Sequence, residues 1–173
     1  MSLPPYRPWM NAVLYQSVWF LSVLGREDWI AASLALLALH LVWCRGRGSE
    51  VAVILICSAI GIGVDTTLAI FDVYRFTPDP GWLPIPFWLI VLWLGFTATL
   101  RHALAWFVDR PLMLIAAAAI GAPLSYLAAA RLGAVTLPLG NIATTLLLSV
   151  VWALLAACFV YFTRMVARRE ALI

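Results

Sequence analysis

Residues 51–71 read VAVILICSAIGIGVDTTLAIF. One charged side chain, Asp65, interrupts an otherwise apolar run. At 1.5 Å per residue a helix of that length covers about 32 Å, close to the thickness of a bilayer's hydrocarbon core. The stretch therefore reads as a transmembrane helix that carries a carboxyl group into the apolar layer. Such groups are costly there, usually face the bundle interior and mark function.

The chain on either side has the same character. Five more apolar stretches, 9–24, 29–44, 86–107, 112–130 and 139–162, surround residues 51–71. Of the 173 residues 65% are hydrophobic and 11% charged, with a mean hydropathy of +1.00. Soluble domains have roughly 45–50% apolar and about 25% charged residues. The pattern predicts an all-α, polytopic membrane protein: six transmembrane helices in one compact bundle, with residues 1–173 forming a single domain. The first span holds Asn11, Tyr15, Gln16 and Trp19 and no A-x-A site follows it, so it reads as a span and not a signal peptide. Gly25-Arg26-Glu27-Asp28 predicts a tight hairpin turn. Residues 77–86, with four prolines, predict a stiff loop along the surface. Trp9, Trp29, Trp43, Trp82, Trp88 and Trp106 fall near span ends, as interfacial indoles do, while Trp19, Trp93 and Trp152 lie deeper as packing residues.

Charge gives the direction. Arg7, Arg45, Arg47, Arg101, Arg110, Arg164, Arg168 and Arg169 fall at one end of the spans, and Arg26, Arg75 and Arg131 at the other. Eight against three puts both termini in the cytoplasm by the positive-inside rule. The arginines are spread singly, which argues against a nucleic-acid surface. The absence of lysine excludes Schiff-base cofactors and a P-loop, and no haem, G-x-S-x-G or H-E-x-x-H motif is present. No cofactor is expected. Cys44, Cys57 and Cys158 lie apart in apolar runs and read as buried thiols.

Small residues allow helices in lipid to approach closely. Ala117, Gly121, Ser125, Ala129 and Gly133 form such a stripe and predict that the fifth span is central to the bundle. Gly121→Leu should then clash with a neighbouring helix. Cys57, Gly61 and Asp65 form a second stripe, and Asn141, Thr145, Ser149 and Ala153 a third. Pro123 predicts a kink near Ala119.

Sorted by depth, the polar residues form two groups. Asp65 lies about 21 Å along its span, level with Tyr126 and near Asn141, Thr144 and Thr145, with Asp72, Arg75 and Arg131 capping them. Arg101, about 13 Å away in depth, is out of reach. Asp65 is accordingly expected to contact the fifth helix, paired with Arg131, hydrogen-bonded to Tyr126 and Thr67, or protonated. The second group lies near the cytoplasmic face and comprises Arg101, His102, His40, Asn11 and Tyr15. Arg101 can snorkel to headgroups or, with His102, hold an acidic headgroup or substrate. Two histidines with no acidic residue at ligand spacing fall short of a metal site, so no metal is expected.

Asn11-Ala12, Gln16, Trp19, Gly61-Ile62-Gly63-Val64-Asp65, Pro86-Phe87-Trp88-Leu89 and the run from Leu92 to Leu100 form a combination that extends through Gly121-Ala122-Pro123-Leu124-Ser125-Tyr126 and Ala130-Arg131-Leu132-Gly133-Ala134. It resembles the bacterial inner-membrane family named domain of unknown function 2878, over nearly the whole chain. Where family members often have Asn-His-Ser, this chain has Arg101-His102-Ala103. The resemblance implies membrane-lipid metabolism in a Gram-negative inner membrane, its members standing beside genes for lipid-modifying enzymes such as fatty-acyl methyltransferases. Membrane lipids and a lipid-modifying enzyme or another membrane subunit are the partners it implies.

Three functions compete. The protein could bind or modify a lipid or lipophile within the bilayer, with Asp65, Tyr126 and His102 supplying acid–base or orienting groups. It could be a small solute or proton-coupled transporter, or an accessory or scaffold subunit. Asn11, Tyr15, Arg101, Arg131 and Asn141 complete the candidate binding residues.

Overall fold

The computed structural model describes residues 6–44 and 47–172, without the side chain of Arg47. Arg45, one of the arginines that set the predicted orientation, lies outside the described residues. The order is α1 (Pro8–Phe20), α2 (Ile30–Trp43), α3 (Arg47–Ile70), β1 (Arg75–Phe76), α4 (Phe87–Thr97), α5 (Ala105–Val108), α6 (Pro111–Arg131), β2 (Val135–Thr136) and α7 (Asn141–Glu170). Pro8 and Pro111 open their helices at a position where the missing N–H costs nothing.

Three helices, Gly48–Ile70, Pro111–Arg131 and Asn141–Glu170, are long and apolar enough to cross a membrane. The others are shorter. A π-helical turn, Leu21–Gly25, prolongs α1, and the charged tetrad forms a 3-10 turn, Arg26–Trp29, that leads into α2. That turn also ties other parts of the fold together. Arg26 Nη2 donates to the Gly133 carbonyl at 2.7 Å, and Glu27 Oε1 accepts the Phe87 N–H at 3.0 Å. The second bond places a carboxylate at the N-terminus of α4, where the helix dipole favours it.

The expected fourth span, 86–107, is not one continuous helix. α4 ends at Thr97, residues 98–104 turn irregularly, and α5 resumes at Ala105. Backbone that leaves the helix inside a bundle must find other partners, and Asn11 provides them. Its Nδ2 donates to the Ala98 carbonyl at 3.2 Å and its Oδ1 accepts the Ala103 N–H at 3.1 Å. The connections also contain structure that hydropathy does not predict. β1 pairs antiparallel with β2, Arg75 opposite Thr136 and Phe76 opposite Val135, fastening the α3–α4 connection to the α6–α7 connection.

α3 packs against α4 and α7, and α1 meets α4 where Gly95 faces Val18; a Cβ on Gly95 would lie 3.0 Å from Val18. The Cys57–Gly61–Asp65 stripe is buried, as expected. The stripe on α6 packs only in part: Ala129 is buried and Ser125 half-buried, while Ala117 and Gly121 are exposed and a Cβ on Gly121 would meet nothing within 4 Å. α6 runs along α7, and the expected clash at Gly121 is absent. The α7 stripe likewise leaves Asn141 exposed; α7 buries Leu148, Trp152, Leu155 and Phe159 instead.

Candidate functional site

Asp65 is 1% exposed and three donors converge on it. The Tyr74 hydroxyl donates to Oδ1 at 2.6 Å, the Trp93 indole N–H to Oδ2 at 2.8 Å, and the Tyr126 hydroxyl lies 2.8 Å from both oxygens. These donors come from the segment after α3, from α4 and from α6, so one carboxyl joins three parts of the chain to α3. The expected contact with Tyr126 and the interior position are both present. The expected cation is not: Arg131 is exposed at the end of α6, and among the described residues no cation pairs with Asp65. Thr67 turns away to its own helix, donating to the Gly63 carbonyl at 2.8 Å. Asp72 and Arg75 pair with each other in the open.

Trp93 reaches Asp65 because Gly61, one turn earlier on α3, leaves room for its ring. A Cβ at Gly61 would lie 2.4 Å from the indole. Gly61→Ala is expected to push the indole off α3, break its bond to Asp65 and cost about 1–3 kcal/mol, the usual range for overpacking. Thermal unfolding in detergent followed by tryptophan fluorescence checks this; an unchanged midpoint would refute it.

Beside this junction lies a crevice of about 220 Å³. Tyr15, Trp19 and Val23 of α1 and its π-turn line one side, Leu92, Trp93 and Phe96 of α4 another, and Ala117, Gly121 and Ser125 of α6 the third. The gap exists because α6 leans on α7 and stands off from α1 and α4. A polar contact joins α1 to α6 beside it, the Trp19 indole N–H donating to Ser125 Oγ at 2.8 Å. Phe76 and Val135 of the strand pair line it as well, and Asp65 and Tyr126 supply its polar wall. Tyr15 thus belongs to this crevice, edge-on to Phe96 at 5.8 Å, and not to the group near His102.

That second group is assembled around a residue the sequence reading left out. Glu50, 1% exposed in the first turn of α3, has Oε1 3.0 Å from His40 Nε2 and Oε2 3.2 Å from His102 Nε2. Arg101 Nε lies 3.8 Å from the same carboxylate, and Arg101 Nη2 donates to Glu170 Oε2 at 2.6 Å. Arg101 is thereby held in an internal network. On the far side of His40, Nδ1 lies 2.8 Å from the Tyr6 hydroxyl and 3.3 Å from Asn11 Nδ2. The argument that no acidic residue stands near the histidines therefore fails, because the α2–α3 turn brings Glu50 between them. The groups at Asp65 and at Glu50 remain separate, so Asp65, Tyr126 and His102 do not share one site.

A family model described as protein of unknown function (DUF2878) matches residues 8–158, and the chain belongs to that family. The matched range takes in His40, Glu50, Asp65, His102 and Tyr126. Neither a curated protein nor a solved structure matches the chain.

Proposed function

We propose that the protein is a six-span, N-in and C-in component of a bacterial inner membrane that binds a lipid or other lipophile from the bilayer in the crevice between α1, α4 and α6. α1 with its π-turn supplies 18 residues, about 27 Å of helix, enough for the hydrocarbon layer. The broken α4–α5 unit crosses with its irregular residues stapled by Asn11. The observation that carries the reading is the crevice itself: apolar walls, one buried carboxyl, and an open flank along Ala117 and Gly121. A concave apolar site with a few convergent polar groups suits a small apolar ligand with one polar end. A carboxylate has about four acceptor positions, and three donors already occupy Asp65. That favours Asp65 as the fixed polar wall of a binding site over a group that transfers protons.

Gly121→Trp tests this, because Gly121 lines the crevice at its open flank and a Cβ there meets nothing within 4 Å. Wild type purified in mild detergent is expected to carry a defined lipophile, read by mass spectrometry. Gly121→Trp should melt at the wild-type temperature and lose at least about nine-tenths of that species. Equal occupancy in both proteins would overturn the reading.

A further inference from the structure

The buried His40–Glu50–His102 cluster plays no part in the crevice. One ligand atom from each residue lies within 4.8 Å of the others, and the three residues come from α2, α3 and the irregular break after α4. We propose that His40 Nε2, a Glu50 carboxylate oxygen and His102 Nε2 form a binding site for a divalent metal of the zinc class.

Four observations converge on it. The donor set is two imidazoles and a carboxylate, which zinc takes with a fourth position left for water. The spacing is compatible, since ligands about 2.0–2.1 Å from a tetrahedral ion stand about 3.3 Å apart, and here the three ligand atoms lie within 4.8 Å of one another, with His40 Nε2 3.0 Å from Glu50 Oε1 and His102 Nε2 3.2 Å from Glu50 Oε2. The outer shell is in place as well. A metal-bound imidazole normally donates its other N–H to a nearby acceptor, and the Tyr6 hydroxyl lies 2.8 Å from His40 Nδ1 to receive it. Tyr6 also meets the His102 ring, with centroids 5.0 Å apart.

The last observation is charge. Among the described residues of the network, Glu50 and Glu170 bring two negative charges and Arg101 one positive, so with neutral histidines one negative charge is left over. It is concentrated on Glu50, whose side chain is 2% exposed, and a buried carboxylate calls for a cation. His40 and His102 both present Nε2 to that carboxylate, at 3.0 and 3.2 Å. Two ring nitrogens beside one buried carboxylate are placed to give their lone pairs to a metal.

The full-length protein in detergent, stripped with chelator and then titrated with Zn²⁺ or Co²⁺ alone, decides the matter. One equivalent per chain should bind, and the Co²⁺ form should show the intense visible bands of four-coordination. His102→Gln and Glu50→Gln should each weaken zinc binding at least about tenfold, while Gly121→Trp should leave it unchanged. His102 is partly exposed, so His102→Gln keeps the test valid even if Glu50→Gln fails to fold. Absence of stoichiometric binding by wild type, the result expected of an imidazolium–carboxylate pair, would overturn the proposal. So would equal affinity in folded His102→Gln. Because the titration does not read the crevice, either proposal can fail alone.

Discussion

Asp65→Ala is expected to lower stability by about 2–4 kcal/mol, and Asp65→Asn by about 1 kcal/mol. Single interhelical hydrogen bonds in membranes average about 0.6 kcal/mol and reach about 1.7, because the unfolded chain in lipid also finds partners. Three donors orphaned together are a different case. Tyr74 and Tyr126, with ring centroids 5.1 Å apart, can partly satisfy each other. The Trp93 N–H can only donate, and its ring is held in a stack against Trp152 at 5.1 Å. Leaving a buried donor unpaired costs about 1–3 kcal/mol. Asparagine keeps one acceptor for Trp93 and offers its amide to phenol oxygens, which accept as readily as they donate. Equilibrium unfolding in mixed micelles measures both variants. No loss in Asp65→Ala would show that the carboxyl does not join α3, α4 and α6.

How much of this could be read in the sequence depended on whether the signal was local. Apolar runs and their end residues are local, so 29–44, 112–130 and 139–162 coincide closely with α2, α6 and the membrane-length part of α7. The break after Thr97 was not visible. Residues 98–104, ATLRHAL, include no proline or glycine, and the helix ends there because Asn11, 87 residues away in sequence, offers the backbone an alternative. The strand pair is likewise two residues on each side, too short for any periodicity to register.

The candidate sites divide in the same way. Asp65 and Tyr126 were legible because depth along a helix can be counted, and both came out at one height. The stripe of small residues on α6 misled at Ala117 and Gly121, since spacing alone cannot tell a face packed on a helix from one bordering a crevice. Arg131 failed as partner because an arginine at a helix end reaches outward, where its charge is solvated. Glu50 stands just before the apolar run that opens at Val51, where depth counting assigns it no partner. The signal was present, in that Glu50, His40 and His102 all belong to the same end of the bundle by span counting. Only the turn between α2 and α3 shows that they meet.

Asn11→Ala carries the second large effect, about 2–3 kcal/mol, confined at first to the break. The Thr99 carbonyl accepts from the His102 and Leu104 N–H groups, and the Phe96 and Thr97 carbonyls accept from Thr99 and Leu100. Among the backbone groups these turns leave over are the Ala98 carbonyl and the Ala103 N–H, the two groups Asn11 takes. Alanine orphans both at once in a place that is 2% exposed, where water cannot replace the amide. Asn11→Asp separates the two bonds, since it keeps an acceptor for Ala103 and removes the donor to Ala98. It should fall between wild type and alanine in melting temperature. Hydrogen exchange localises the effect: the amides of residues 98–104 should exchange faster in Asn11→Ala, while those of α7 keep wild-type protection. His102 is carried by the same turns, so zinc affinity should drop in Asn11→Ala although every ligand remains. Wild-type exchange through residues 98–104 would mean that the break is held by its own turns, and that Asn11 is only a polar neighbour of His40.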